Sequence, residues 1–600
     1  MAQQPAERAY QGGKHIGAVL REEGVEYYFG VTGRAITPVY IGIGWAGLKL
    51  IHMRHEQAAG FAGNAYARCS RRLGVALANA GPGLVNTVAP VAMAYWGKVP
   101  MVFIYSQHTM AEDGRGPSQE SYADKMLAST TKWVRRVVHP NSIAYLVKKA
   151  CRDAMTYPQG PVALEFPFDV TLQKTKMSEQ AGYVPNAYQE PAAPAADPKS
   201  VEAAVKKLLS AERPAIAGGE SIFWSNAEPE LQEFVELTNI PVITRRVSRG
   251  AVPEDHPLAF SGRCRGAILR SADVACIIGL QLGLLEGYGA WAKNLKLIQV
   301  AESKADIETT APTDTIIIGN AKSALRQMID CAKDMVKKYP KKEAWLKKVD
   351  EIKAEDKARM NEDVEPNRNA VPIHPAVLSQ EVCEYLDKDA TIILDSLTQS
   401  HYFTERFIAH QSGSLIDTGL FMSVGHGVGM GIGAQLARPG KQVVVSMGDG
   451  GMGVGGFDVE TAVRSNLPVC YLLANNGAWM AAGGGVFRKV IPTVGTQYYS
   501  PWSIAPTNYA KVFEAMGAYT ERVEKAEDIK PALERAFKSG KTSVLDVVTN
   551  PSVPLTAGSG KPPSEEQRVR GNLMWMDPED FPDDLRKKYI DTMPPAAPKK

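Results

Sequence analysis

The sequence predicts an α/β protein with three doubly wound parallel-sheet domains and an irregular C-terminal extension. In three successive blocks, short apolar runs of strand length alternate with helical patterns, and this alternation is typical of parallel sheets covered by helices. A segment rich in alanine and proline and a second segment rich in lysine and glutamate separate the blocks. The expected boundaries are a first domain at 1–183, a linker at 184–198, a central domain at 199–335, a charged helical crossover at 336–370, a third domain at 371–550 and a tail at 551–600.

The first block contains several runs that we interpret as buried strands. Three of them stand at residues 27–31, 101–105 and 162–166, and each is short and mostly apolar. A further run at 48–53 leads into a helix of small residues, and another at 74–78 leads into a glycine-containing loop. The block therefore predicts a parallel sheet with a helix on each crossover.

The segments between the blocks have compositions of their own. Residues 185–198 are rich in alanine and proline, which is typical of a linker. Lysine and glutamate runs between 333 and 367 favour a solvated helix that crosses over to the third block. Between these segments, the strand-like runs of the central block lie near 215–217, 241–244, 274–278 and 297–300.

The third block carries the most informative pattern. An apolar run at 443–447 leads to Asp449, and a second run at 468–474 leads to Asn475, with a helical pattern between them. In an open parallel sheet, ligands bind at the carboxyl ends of the strands. Carboxylate and amide oxygens suit Mg²⁺ or Ca²⁺ better than zinc, and the glycines around Asp449 let backbone N–H groups approach a diphosphate. The glycines alone are also typical of an ordinary loop before a helix.

The spacing in this block resembles that of a known family. Gly448-Asp449-Gly450 is followed by twenty-four residues and then by Asn475-Asn476. This arrangement resembles the G-D-G…N-N signature of thiamine diphosphate enzymes. The resemblance implies that Asp449, Asn476 and the backbone carbonyl of Ala478 hold Mg²⁺, with diphosphate oxygens and water as the remaining ligands.

A second motif lies far away in the first block. Residues 53–68 and the loop that contains Gly81 resemble the R-H-E-x-x-A-x-x-x-A-x-x-Y-A-R and G-P-G elements of the acetohydroxyacid synthase and pyruvate oxidase group, with Gly63 in place of an alanine. The resemblance extends to the oxalyl-CoA decarboxylases and 2-hydroxyacyl-CoA lyases of the same superfamily. It implies that Glu56 activates the cofactor through the aminopyrimidine ring, and that the three domains are pyrimidine-binding, central and pyrophosphate-binding.

The resemblance also implies a set of cofactor contacts. In the family a bulky apolar residue, often methionine, supports the bend of the cofactor. The matching position here is Val424, and Met422 stands two residues earlier, so the supporting residue is left open. The expected cofactor-binding residues are Gly33, Glu56, Gly81, Asn86, Val424, Gly448, Gly450, Gly451, Met452, Asn476 and Ala478.

Polar residues of the first block are candidates for contact with the substrate. Gln119 and Glu120 resemble the A-F-Q-E stretch near the substrate of acetohydroxyacid synthases, with Ser118 in place of the phenylalanine, and we take both as catalytic candidates. Lone histidines, His401 among them, are more often structural than catalytic. The candidates for the substrate pocket are Arg34, Gln107, His108, His426, Trp479 and Met480.

Two reactions are compatible with these motifs. The first is that of a 2-hydroxyacyl-CoA lyase or oxalyl-CoA decarboxylase, which gives formyl-CoA. A polar tail and a set of central arginines favour it, since arginines bind phosphates well and the central domain then takes a CoA-type nucleotide or ADP. Against it, Gln281 stands where those enzymes have an arginine. The arginines are Arg245, Arg246, Arg249, Arg263, Arg265 and Arg270.

The alternative is a 2-oxo acid decarboxylase or carboligase of the acetolactate synthase type. It explains the first-block motifs equally well. We favour the CoA-dependent reaction slightly over the acetolactate synthase type.

The tail from 551 to 600 is too polar to build a core. The stretch that begins at Thr556 and continues to Arg568, Arg570 and Asn572 resembles the tails that cover the bound thioester in the CoA-dependent relatives. A lid over the site and a strap on the surface are both compatible with it.

Composition excludes several classes of protein. The 68 Lys and Arg nearly balance the 65 Asp and Glu, and no basic motif interleaved with aromatic residues suggests nucleic acid. The seven cysteines form no CxxC pair, and no long apolar stretch suggests a membrane span, so we expect a cytoplasmic enzyme of small molecules. The family resemblance implies a homodimer or homotetramer in which Glu56 and Asp449 of different subunits share one site.

Overall fold

The computed structural model describes residues 8–181, 193–262, 264–336, 341–396, 398–479, 504, 507–553, 578–581 and 583–591. It contains three separate parallel sheets, one in each block, surrounded by helices. The predicted α/β class with three parallel-sheet domains is confirmed. Among the described residues, no helix is both long enough and apolar enough to cross a membrane.

The first domain has a six-stranded sheet. Its strands, with a short pair beside them, are β1 Ala9–Gln11, β2 Tyr27–Gly30, β3 Lys49–His52, β4 Gly74–Ala78, β5 Met101–Gln107, β6 Trp133–Arg136, β7 Pro161–Pro167 and β8 Lys174–Lys176. The order is β3-β2-β4-β5-β7-β6 with parallel neighbours, whereas β1 and β8 form an antiparallel pair. The α-helices are Gly12–Glu22, Thr37–Trp45, Glu56–Ser70, Pro82–Asn86, Val88–Trp96, Ala123–Leu127, Ile143–Met155 and Phe168–Leu172.

Successive residues of the inner strands belong to two different cores. Along β5, Val102 and Ile104 pack in one apolar cluster, whereas Phe103 and Tyr105 pack in another. Side chains of a strand alternate between the two faces of the sheet, so both faces are buried. This explains why the predicted strand runs are mostly apolar rather than alternating.

The central domain has a five-stranded parallel sheet. Its strands are β9 Pro214–Gly218, β10 Val242–Thr244, β11 Val274–Ile278, β12 Lys296–Ala301 and β13 Thr315–Ile318. The order is β10-β9-β11-β12-β13. The α-helices are Pro198–Ser210, Glu220–Trp224, Glu228–Thr238, Cys264–Ser271 and Ala321–Met335.

A long helix, Glu343–Val364, occupies the charged segment between the central and third domains. Its buried residues Trp345, Val349 and Ile352 follow each other at intervals of three and four positions and join the core of the central domain. The indole N–H of Trp345 donates to the carbonyl of Pro214 at 2.9 Å. One stripe of this otherwise polar helix therefore anchors it to the central sheet.

The third domain has a second six-stranded parallel sheet. Its strands are β14 Thr391–Asp395, β15 Leu415–Ile416, β16 Val443–Gly448, β17 Cys470–Asn475, β18 Tyr519–Val523 and β19 Ser543–Val548. The order is β15-β14-β16-β17-β19-β18. The α-helices are Pro375–Tyr385, Thr398–Arg406, Gly427–Ala437, Asp449–Gly455, Val459–Arg464, Tyr509–Glu514 and Ile529–Lys538.

The first and third domains meet along the helices Glu56–Ser70 and Gly427–Ala437. A Cβ atom at Gly433 would lie 1.9 Å from the carbonyl oxygen of Ala62, and one at Gly429 would lie 2.5 Å from that of Ala58. The two backbones therefore touch, and only glycine fits at the contact. This packing sets the position of Glu56, at the start of its helix, relative to the third domain.

Candidate active site

Asp449 lies at the carboxyl end of β16, where it begins the helix Asp449–Gly455. Its side chain is buried, and Oδ1 accepts from the backbone N–H of Gly450 at 3.1 Å. Its other oxygen, Oδ2, is buried without a hydrogen-bond partner among the described residues. Burial raises the pKa of Asp449 to about 6, and nearby backbone N–H groups only partly offset this. A cation at Oδ2 would supply the missing partner.

Asn476 and Ala478 follow the neighbouring strand. β16 and β17 pair in parallel, with Gly448 opposite Ala474, so both loops open at the same edge of the sheet. The Asn476 side-chain oxygen accepts from the backbone N–H of Ala478 at 3.0 Å. The adjacent Asn475 is buried and donates to Asp546 Oδ1 at 2.8 Å, so its role is to hold the loop.

A cavity of about 310 Å³ lies above these loops. Trp479 covers one side of it, and a Cβ atom at Gly450 would lie 2.9 Å from the Trp479 ring. Val424 and Met422 are both partly exposed toward the same space. The lining residues include Asp395, Ser396, Met422, Val424, Gly448, Asp449, Gly450, Gly451, Asn476, Ala478 and Trp479. Met452 is buried next to this loop, and Met480 and the segment 481–485 that follows it lie outside the described residues.

His426 lies beneath the cavity. It is completely buried, its Nε2 donates to the carbonyl of Leu394 at 3.0 Å, and its Nδ1 lies 3.3 Å from Asp395 Oδ1. Asp395 accepts from the backbone N–H groups of Gly425 and Gly427, and burial raises its pKa. The pair supports the loop that carries Val424. Sequence reasoning missed Asp395, although an acidic residue at the end of an apolar run was the available signal.

Glu56 lies at the carboxyl edge of the first sheet. It opens the helix Glu56–Ser70 and is half-buried, and its Oε2 accepts from the side-chain amide of Asn86 at 3.0 Å. The Gly83 backbone approaches so closely that a Cβ there would lie 3.2 Å from Glu56 Oε1. The structure thus brings together Glu56 and Asn86, two of the expected cofactor-binding residues.

Asn79 joins the loops around Glu56. Its Oδ1 accepts from the Ile36 backbone N–H at 3.2 Å and from the Ser106 hydroxyl at 3.0 Å, and its Nδ2 donates to Gln119 Oε1 at 2.8 Å. A Cβ at Gly33 would lie 2.4 Å from Asn79 Cγ. Sequence reasoning missed this residue, whose only signal was its position after β4.

The remaining candidates of the first domain surround this edge. Arg34 and Gln119 are exposed, and Gln119 has a positive φ of 65°. Gly81, whose φ is 64°, donates its N–H to the Ser121 hydroxyl at 3.0 Å. Gln107 is hydrogen-bonded to His108 at the end of β5, Glu120 lies 3.9 Å from His108, and neither Gln107 nor His108 lines the cavity at Asp449.

Within the described residues, the cavity at Asp449 is lined by the third domain alone. Glu56, Asn86 and Gln119 belong to the first domain and do not line it. One chain therefore carries two separate groups of candidate residues, which we call half-sites. The Asp449 half-site lies at the carboxyl edge of the third-domain sheet, and the Glu56 half-site lies at the carboxyl edge of the first-domain sheet.

Three of the central arginines form ion pairs with carboxylates inside the protein. Arg245 lies 2.9 Å from Glu286, Arg246 lies 3.2 Å from Asp417, and Arg249 lies 2.6 Å from Glu254. All three are buried beside a second cavity of about 210 Å³, which His401 also lines. Arg265 is partly buried there and Arg270 is exposed, whereas Arg263 lies outside the described residues.

Comparison with known proteins agrees with this geometry. Models of the thiamine pyrophosphate enzyme match the chain in three parts: the N-terminal TPP binding domain at 10–127, the central domain at 201–328 and the C-terminal TPP binding domain at 397–547. A probable acetolactate synthase of Mycobacterium bovis is 31% identical over 552 residues, which cover 92% of this chain and 97% of that protein. The chain belongs to the thiamine pyrophosphate enzyme family.

Other relatives in this family have a different name. A 2-hydroxyacyl-CoA lyase of Oryza sativa subsp. japonica is 27% identical over 577 residues, covering 92% of this chain and 98% of that protein. A 2-hydroxyacyl-CoA lyase of Arabidopsis thaliana is 28% identical over 553 residues, covering 90% and 95%. The relatives therefore indicate a carbon–carbon lyase or transferase that uses thiamine diphosphate. Their names describe two different reactions, so they do not decide which one this chain catalyses.

The residues present fit this cofactor. Asp449 Oδ2, which has no partner in the described part of the chain, and the side chain of Asn476 offer the oxygen ligands that Mg²⁺ takes, and Gly448, Gly450 and Gly451 leave the adjoining backbone open to the cavity. At the other half-site, Asn86 orients the Glu56 carboxylate.

Proposed function

We propose that this protein is a thiamine diphosphate- and Mg²⁺-dependent carboligase or decarboxylase of 2-oxo acids, of the acetolactate synthase type. The observation that carries the proposal is the buried Asp449 oxygen, which has no hydrogen-bond partner among the described residues and stands beside Asn476 at the end of two neighbouring strands. The relative at 31% identity, named acetolactate synthase, supports this substrate class over the CoA-dependent one.

When bound, thiamine diphosphate supplies a carbon nucleophile that adds to a carbonyl group and stores the resulting electron pair. Asp449, Asn476 and the carbonyl of Ala478 would hold the Mg²⁺ ion. The backbone of Gly448, Gly450, Gly451 and Met452 would border the diphosphate.

The first domain would supply the proton-handling group. Glu56, oriented by Asn86, would hold the proton at the aminopyrimidine ring nitrogen, while Gly33 and Gly81 leave room for that ring. Val424, at the cavity wall, would support the bend of the cofactor, and the exposed Arg34 and Gln119 would face the substrate.

The separation of the two half-sites supports a homodimer or homotetramer with shared active sites. Glu56 of one subunit would then meet Asp449 of another. The seven cysteines are free, which supports a reducing compartment such as the cytoplasm.

The second candidate is a 2-hydroxyacyl-CoA lyase, supported by the two plant relatives of that name. The ion pairs of Arg245, Arg246 and Arg249 weaken it, because these arginines already have carboxylate partners. The tail segment 554–577, proposed as a lid in this candidate, lies outside the described residues.

The deciding experiment offers the purified holoenzyme pyruvate in one reaction and a 2-hydroxyacyl-CoA in another, with product detection by mass spectrometry. Acetolactate from pyruvate supports the first candidate, whereas formyl-CoA with an aldehyde supports the second. Protein that binds neither thiamine diphosphate nor Mg²⁺ would contradict both.

A further inference from the structure

The geometry points to a second metal site, for a divalent transition-metal ion such as Zn²⁺ or Mn²⁺, formed by His108, Asp113 and Glu120. One ligand atom from each residue lies within 4.8 Å of the other two. His108 Nε2 lies 3.2 Å from Asp113 Oδ1 and 3.9 Å from Glu120 Oε1. Atoms that share one ion at bond lengths of about 2.1 Å lie roughly 3 to 4 Å apart, so small side-chain movements bring all three to one ion.

The hydrogen bonds of Gln107 decide which nitrogen of His108 carries the proton. Gln107 Nε2 donates to the backbone carbonyl of Ser121, which can only accept. The amide oxygen of Gln107 therefore faces His108, where it accepts from the backbone N–H at 3.0 Å and lies 2.6 Å from Nδ1. Because an amide oxygen only accepts, Nδ1 is protonated.

In the neutral ring, the lone pair of Nε2 then points toward the Asp113 carboxylate. Two acceptors 3.2 Å apart repel each other unless positive charge lies between them. A metal ion or a second ring proton supplies this charge, and the test below separates the two. A metal-bound histidine usually donates its other ring N–H to an oxygen acceptor, as His108 does to Gln107. The His108 side chain is only 4% exposed, so water does not solvate it.

The two carboxylates also have outer partners that fix their orientation. Arg136 donates to Asp113 Oδ2 at 2.6 Å, which leaves Oδ1 toward His108. Glu120 Oε1 accepts from the Gly114 N–H at 2.7 Å and from the Tyr122 hydroxyl at 2.9 Å, so an ion bound at Oε1 would replace one of these two hydrogen bonds. Hydrogen bonds of this kind hold the ligands of metal sites in place.

The charges around the cluster favour a cation as well. Arg136 lies 2.6 Å from Asp113 and 3.6 Å from Glu165, and Glu120 lies 3.9 Å from His108 on the same cluster. Among the described residues, the two carboxylates Asp113 and Glu120 therefore have one arginine beside them. One imidazole and two carboxylates form a ligand set that suits Zn²⁺, Mn²⁺ or Co²⁺.

The site lies apart from Asp449, at the end of β5 in the first domain. It ties together the two ends of the segment 108–120, whose next-to-last residue, Gln119, bonds to Asn79. A bound ion would therefore hold Gln119 against the edge of the sheet where Glu56 lies.

The test uses the full-length holoenzyme, loaded with thiamine diphosphate and Mg²⁺ so that the Asp449 site is filled, and Co²⁺ as the probe. Calorimetry and visible absorption should show about one equivalent of Co²⁺ bound through nitrogen and oxygen ligands. His108→Gln and Asp113→Asn should each weaken this binding by at least about 10- to 100-fold. The control His139→Gln alters an exposed histidine outside the cluster and should leave it unchanged.

Holoenzyme that takes up no Co²⁺, or whose uptake is unaffected by His108→Gln, overturns the assignment. The His108 ring would then carry a second proton, and nitrogen-15 spectra of labelled histidine would show both ring nitrogens protonated. If His108→Gln fails to fold, Co²⁺ binding by Asp113→Asn tests the assignment instead, because this substitution keeps the shape of the side chain and removes only its charge.

Discussion

Asp449 is an acidic side chain that folding buries, and one of its oxygens accepts no hydrogen bond from the residues that the structure describes. Its pKa in the folded protein is about 6, above the ordinary value of 3.8. The Asp449 carboxylate therefore binds a proton more tightly in the folded protein than in the unfolded chain. Ionised Asp449 destabilises the cofactor-free protein above pH 6, and this effect disappears as the pH falls below 4.

We accordingly expect cofactor-free Asp449→Asn to be more stable than the cofactor-free wild type at pH 8, by up to roughly 3 kcal/mol. The difference should shrink toward zero at pH 4, and urea denaturation at both pH values measures it. With Mg²⁺ and thiamine diphosphate present the order should reverse, because only the wild type gains the binding energy. Equal stability at pH 8 would show that the carboxylate has a partner.

Glu56 is expected to act in catalysis rather than in binding of the metal. Glu56→Gln keeps the size of the side chain and its contact with Asn86, so thiamine diphosphate affinity should change less than about 10-fold. Turnover should fall by at least about 100-fold, because the amide cannot hold or release the proton. Calorimetry and single-turnover kinetics measure the two quantities. Glu202→Gln, on an exposed face of the central domain, is the control, and unchanged turnover in Glu56→Gln would remove Glu56 from its assigned role.

At the scale of whole elements, the contact between Glu56–Ser70 and Gly427–Ala437 depends on glycine. A methyl group at Gly433 would meet the Ala62 backbone, which no side-chain movement relieves. We expect Gly433→Ala to destabilise the protein by about 1–3 kcal/mol, measured by thermal unfolding. Gly44→Ala is the matched control, because Gly44 lies in a helix with open space around it and alanine favours helix. A stable Gly433→Ala variant would mean that the helices can separate.

The elements were predictable because their signals are local. The run at 443–447 and the run at 101–105 are apolar over strand length, and both form inner strands. The contact of Asn79 with Gln119 was not predictable, because it spans a loop whose path depends on the positive φ of Gln119. His426 was assigned to the substrate pocket, and its sequence context gave no sign of the buried Asp395 that faces it.

The three domains of the whole molecule meet at Asp417, a partly buried carboxylate. Arg68 of the first domain donates to the backbone carbonyl of Asp417 at 2.7 Å, and Arg246 of the central domain lies 3.2 Å from the Asp417 carboxylate. Burial alone would raise the pKa of Asp417, but Arg246 and Arg68 hold it at about 2. Asp417 stays ionised and links all three domains, because a partly buried carboxylate beside two buried cations keeps its charge.

The separation of the half-sites leads to a prediction for the assembled enzyme. If Glu56 and Asp449 of different subunits form each site, a dimer of one Glu56→Gln chain and one Asp449→Asn chain has one intact site and one doubly altered site. Such mixed dimers should regain about half of the wild-type activity, whereas each variant alone is nearly inactive.

The measurement is co-expression with two different affinity tags, purification through both, and an activity assay. A mixture of the separately purified variants, combined without exchange of subunits, is the control and should stay inactive. If both residues of one chain served the same site, every site of the mixed dimer would lack one of them. An inactive mixed dimer of normal stability would therefore place each site within a single chain.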